Sequence, residues 1–193
     1  RCRTCGLRLE GGAAQYGACL REAPPLDVCL CAVDYAYPWS GCIARLKFQG
    51  EPGTASTLAA LLHDTPGVGD VLDQAHHVLP MPLAPVRLRE RGFNQALELA
   101  RRLAPAKADG QLLLRIRETP PQVARSAAER SRNVRGAFAV DPLRVHRVEG
   151  RNMLLVDDVM TSGASLFAAA RALRTAGARH VGALVLARTP LPD

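Results

Sequence analysis

Three things are scarce in this chain of 193 residues. Aromatic side chains make up 4% of it, which argues against base stacking as a main mode of binding. No apolar run approaches the ~20 residues of a membrane-spanning helix, so no membrane span is expected. Lysine occurs only as Lys47 and Lys107, and Arg supplies the other cations. A signal-peptide pattern is also missing, so the expected location is the cytoplasm, where thiols stay reduced. An initiating Met is absent, so a residue upstream of Arg1 stays open as a ligand.

The charge that is present is uneven. The formal net charge is +7. Between Pro85 and Arg135 twelve Lys/Arg face five acids, an excess equal to that of the whole chain. Arginine holds planar oxyanions in bidentate fashion, so this stretch predicts a polyanionic partner: pyrophosphate, nucleic acid or both.

The most informative stretch runs from Met153 to Ser165. Met153-Leu-Leu-Val156 predicts a strand buried on both faces. Asp157 and Asp158 follow at its end, then Thr161, Ser162, Gly163, Ala164 and Ser165. A helix is expected at once, with Leu166, Ala169, Ala170 and Leu173 inward and Gly177 at its stop. A tight polar turn opening a helix is an anion site, because free N–H groups and the helix dipole point into it. The two acids would repel that anion on contact; they suit an adjacent sugar diol or a bridging Mg²⁺. The pattern therefore predicts a sugar phosphate.

Leu155 to Ser165, apolar residues, two acids, then Thr-Ser-Gly-Ala-Ser, resembles the phosphoribosyl pyrophosphate (PRPP) loop of type I phosphoribosyltransferases. The resemblance implies that Thr161 to Ser165 hold the 5-phosphate and that Asp157 and Asp158 hold the ribose hydroxyls with Mg²⁺.

Elsewhere strands and helices alternate. Strands are expected at Val28–Ala36, His76–Pro80, Leu112–Ile116, Ala137–Val140 and Val181–Ala187, and helices at Trp39–Phe48, Thr54–Leu62 and Asn94–Leu103. This order predicts an α/β fold with a mostly parallel sheet flanked by helices. Lys47 falls beside the apolar stripe of its helix and is expected to be exposed. The stiff, non-helical turn Pro80–Pro85 is expected to deliver Arg87, Arg89 and Arg91 as an anion loop for pyrophosphate at a strand end. Thr119–Gly136 is a long basic loop, with a helix over 126–135 capped by Ser126 and Glu129. Its Arg125, Arg130, Arg132 and Arg135 are the candidates for contact with nucleic acid.

Residues 1–31 stand apart from the 32–193 domain. Cys2-Arg-Thr-Cys5-Gly6 is a zinc-knuckle shape. A second knuckle is expected some residues on; Tyr16-Gly-Ala-Cys19 supplies half of one. Cys2, Cys5 and Cys19 are the candidate ligands of a structural zinc. A fourth lies upstream, at Cys29 or Cys31, or is lost. Cys29, Cys31 and Cys42 are better read as small buried hydrophobes.

The whole order is similar to the ComF family of competence proteins. It is carried by the cysteine segment, Leu46-Lys-Phe-Gln-Gly50, Arg89-Glu-Arg-Gly-Phe-Asn-Gln95, Thr119-Pro-Pro-Gln122, Glu129-Arg-Ser-Arg-Asn133, Gly136-Ala-Phe138 and the PRPP-like loop. The resemblance implies a type I phosphoribosyltransferase-like fold, a role in the uptake of transforming single-stranded DNA, and a helicase-like competence ATPase as partner. Tyr16 departs from the family's zinc ribbon. Nothing in the sequence names an acceptor, an oligomeric state or whether phosphoribosyl transfer survives.

Overall fold

A computed structural model describes residues 1–11, 13–49, 52–117, 134 and 136–191. Its centre is a four-stranded sheet of order β1-β6-β5-β2, in which every neighbouring pair is parallel. The strands are β1 (Val28–Asp34), β2 (His77–Pro80), β5 (Asn152–Met160) and β6 (His180–Arg188). β1 crosses residue 31, so the first part of this strand comes from the segment set apart in the sequence.

The apolar runs explain why these strands lie inside. Side chains alternate between faces, and along β5 both faces are covered. Met153 and Leu155 join one apolar cluster with α7 (Ala164–Thr175) and the N-terminal segment. Leu154 and Val156 join the other, with α2 (Trp39–Gln49), α3 (Pro52–His63), α4 (Val68–Gln74) and α6 (Gln95–Leu103). On α7 the inward stripe is Leu166, Ala169, Ala170 and Leu173, at the predicted steps. Burying a Leu is worth ~1.5–3 kcal/mol, so the stripe pins α7, and with it the turn ahead of it. Gly177 lies beyond the helix at φ +87, a conformation that suits glycine.

Three expectations are corrected. The strand reaches Met160 rather than stopping at Val156, so both aspartates are strand residues. Pro85–Arg91 is a helix, α5. Pro85 stands in its first turn, where a missing N–H costs nothing, and Gly92 ends it at φ +78. Finally, β3 (Leu113–Arg115) and β4 (Phe138–Val140) pair antiparallel as a separate ribbon. Segment 118–133 and Arg135, with the helix expected over 126–135, Arg125, Arg130 and Arg132, lie outside the described residues. The short α1 (Gly17–Arg21) carries Cys19. Among the described residues no helix is long and apolar enough to cross a membrane.

Candidate functional site

The ends of the parallel strands bring the candidate residues together. Ligands of open α/β sheets bind outside such carboxyl ends. Asp157 and Asp158 sit on successive positions of β5, so they point to opposite faces. Each carboxylate bends back on the next peptide: Asp158 N–H donates to Asp157 Oδ1 at 2.9 Å, and Val159 N–H donates to Asp158 Oδ1 at 2.8 Å. Asp158 is 4% exposed. Lys47 Nζ stands 2.8 Å from its Oδ2. That contact is one of charge, and among the described residues Oδ2 has no aligned hydrogen-bond donor. A buried carboxylate oxygen in this state has acceptor capacity to spare for a hydroxyl or a cation.

Lys47 is therefore a site residue, contrary to its expected exposure. It follows the stripe of α2 at the helix's last turn, where the chain comes over the end of β5. Burial and the adjacent Asp158 charge push the Asp157 carboxyl well above the usual carboxylate range, against the pull of Lys47.

After β5 the chain turns through Thr161, Ser162 and Gly163 into α7. Gly163 is the N-cap at φ +81. A Cβ there would stand 2.5 Å from Met160 Cε and 2.8 Å from Phe167 Cζ. The left-handed backbone favours glycine here, and any side chain would also have to displace the ends of Met160 and Phe167. Ser162 Oγ accepts from Ala164 N–H at 3.4 Å, and Ser165 lies in the helix's first turn. The first-turn N–H groups of a helix have no carbonyl partner within it. The turn thus presents backbone donors three residues from the acids.

Of the three arginines on α5, the helix separates what an alternating loop would have aligned. Arg87 and Arg91 are one turn apart, and Arg89 projects from the other side. Arg91 is half-buried, feels the Asp158 charge, bonds Gln95 Oε1, and lies over the Phe48 ring at 5.7 Å. Asn94 caps α6 by accepting from Ala96 N–H, and its Nδ2 donates to Met81 O at 3.0 Å. This fixes α6 to the loop after β2.

Arg188 was not singled out in the sequence. It ends β6, is 6% exposed, and donates to the carbonyls of Cys5, Met160, Thr161 and Thr189. One guanidinium thus ties the polar turn to the cysteine segment. No local pattern could have marked it, since Cys5 and Thr161 are far from it in sequence.

In that segment Cys2, Cys5 and Cys19 are buried, with all three Sγ atoms within 4.8 Å of one another. Burial raises the Cys2 thiol, but N–H groups of Tyr16 and Thr4 outweigh it and bring it down to about 6. Burial pushes Cys5 up to about 12 and raises Cys19. Three soft donors in one buried cluster fit a metal such as zinc. Cys29 is outside that cluster, with its Sγ 3.9 Å from Met160 Sδ, and Cys31 Sγ donates to Val33 O.

A profile described as "Phosphoribosyl transferase domain" matches residues 88–191. "DNA utilization protein YhgH" of Escherichia coli K12 is 34% identical over 97% of this chain and 84% of its own length. "Competence protein F" of Haemophilus influenzae is 31% identical with the same coverage. This chain belongs to the ComF family. "Competence protein ComFC" of Bacillus subtilis is 31% identical over 76% of this chain and 58% of its own. A solved structure, glutamine PRPP amidotransferase from B. subtilis, aligns with 75% of the chain and 30% of its own at TM-score 0.41 and 20% identity. The main sheet of this ComF-family chain is the mostly parallel, helix-flanked sheet of a phosphoribosyltransferase-type domain, and it carries an N-terminal cysteine cluster.

Proposed function

We propose that this protein binds PRPP, or a related sugar phosphate, together with Mg²⁺, and acts in the cytoplasm in the use of transforming DNA. The observation that carries the reading is the acidic pair, Asp158 buried and Asp157 partly so, standing directly ahead of the glycine-opened N-terminus of α7. In this reading the N–H groups and hydroxyls from Thr161 to Ser165 hold the 5-phosphate. Asp157 and Asp158 hold the ribose hydroxyls, and the spare capacity of Asp158 Oδ2 suits a hydroxyl or Mg²⁺. Mg²⁺ would neutralise the pyrophosphate. Arg87, Arg89 and Arg91 are assigned to pyrophosphate; α5 favours Arg91, with Arg87 one turn before it. Lys47, already at Asp158, is a further cation for the same group. Cys2, Cys5 and Cys19 are ligands of a zinc ion. The names of the relatives support a role in competence and DNA use; a competence helicase as partner is what the family resemblance implies.

Thermal shift tests it. PRPP with Mg²⁺ should raise the melting temperature more than ribose 5-phosphate, pyrophosphate or Mg²⁺ alone. No ligand exceeding Mg²⁺ alone would contradict the reading.

A second reading, single-stranded nucleic acid on the same face, is favoured by one arrangement. Phe48 is 79% exposed with Arg91 against its ring, the aromatic–arginine pairing that stacks bases. Binding of an oligo-dT probe should fall steeply with salt. It should weaken in Phe48→Ala, by about 1–3 kcal/mol, and in Arg130→Ala with Arg132→Ala. Salt-insensitive binding or none would count against it.

A further inference from the structure

Among the described residues the cysteine cluster offers three ligands where a closed zinc site takes four, and Tyr16 marks the place of the fourth. Tetrahedral zinc with thiolate bonds of ~2.3 Å sets sulfurs about 3.8 Å apart, so three Sγ atoms within 4.8 Å of one another are already close to that spacing. Among the described residues no fourth Cys, His, Asp or Glu joins them. Cys29 and Cys31 are engaged with Met160 and Val33.

Tyr16 stands where a second knuckle would place its first thiol. Its spacing to Cys19 repeats that of Cys2 to Cys5. Its N–H donates to Cys2 Sγ at 3.3 Å, and its carbonyl accepts from Cys19 N–H at 2.8 Å. Tyr16 thus caps α1 with its backbone against Cys2, and its side chain is not a thiol. Beside it lies a cavity of about 650 Å³, open to solvent. Cys5, Cys19 and Tyr16 line one wall of it; Thr161 and Ser162 of the polar turn line another.

We propose that Cys2, Cys5 and Cys19 form a three-thiolate metal centre whose fourth position is filled from outside, by a soft donor atom of a small molecule entering through this cavity. The donor class is a thiolate or an aromatic ring nitrogen, the types that suit a thiolate-bound zinc. Three protein ligands with an open position is the arrangement of zinc sites that exchange a ligand, whereas structural sites are closed by four. The inference rests on the cysteines being metal ligands, as proposed above.

Cobalt substitution tests it on the full chain. Reduced protein is loaded with one equivalent of Co²⁺, and the thiolate-to-metal charge-transfer absorbance per metal is read. Excess β-mercaptoethanol should raise the wild-type absorbance by about a third, as three thiolates become four. Tyr16→Cys should begin at that higher value and not respond. Tyr16→Phe should behave as the wild type, since the phenol is not a ligand. A wild-type spectrum that β-mercaptoethanol leaves unchanged overturns the open position while the metal site stands. The absence of any charge-transfer band in the wild type overturns both. The wild-type titration decides the matter even where a variant fails to fold.

Discussion

Asp157 pairs with a second acid on a strand packed on both faces, and the charge of neither is fully answered by Lys47 alone. The raised Asp157 value has a definite sign for stability. Between the ordinary carboxylate range and the raised value, the folded chain holds a proton that the unfolded chain has released. Stability therefore falls as pH climbs through that window, and the deficit remains above it. Asp157→Asn keeps the oxygen that accepts from Asp158 N–H and removes the titration. Its melting temperature should exceed that of the wild type by a few degrees at pH 8, with the two converging toward pH 4. A gap independent of pH would contradict this account. A destabilising charge retained at a ligand-facing position is a common mark of function. At this scale the sequence displayed the acids and the glycine, because both lie in one short motif. It hid Lys47: a helical wheel ranks that residue by its own helix, and its partner lies on a distant strand.

Among the elements, β5, its turn and α7 were legible because the chemistry is local: an apolar run, small polar residues, then a three-and-four-residue stripe. α5 was not, since a proline-rich approach looks extended until Pro85 is recognised as a first-turn residue. Nor were the antiparallel pairing of β3 and β4, or the contacts of Arg188, which depend on tertiary placement. Arg188 links the cysteine segment, the end of β5 and the polar turn by donating to the carbonyls of Cys5, Met160 and Thr161, of which Met160 O also accepts from Thr189 N–H. Arg188→Ala should destabilise the protein by on the order of 3 kcal/mol in urea denaturation. It should also speed amide exchange at Cys2, whose N–H is held by Leu7 O. A loss below about 0.5 kcal/mol, the range of ordinary surface substitutions, would show that the staple is idle.

Across the whole molecule, the sheet buries its two faces under helices and leaves its strand ends for the acids, the cations and the turn. The sequence conveyed this arrangement through alternating strands and helices, and the ComF family resemblance agrees with it. The positive excess of residues 85–135 falls partly on residues up to Arg117, whose geometry is described, and partly on 118–133 and Arg135, which lie outside the described residues. The central claim is that Asp157 and Asp158 grip a phosphorylated pentose. Calorimetric titration of PRPP with Mg²⁺ into the wild type and into Asp157→Asn with Asp158→Asn measures it directly. The account predicts one Mg²⁺-dependent site in the wild type and none in a double variant whose circular dichroism is unchanged. Equal affinity in both proteins, or no binding by the wild type, would contradict it.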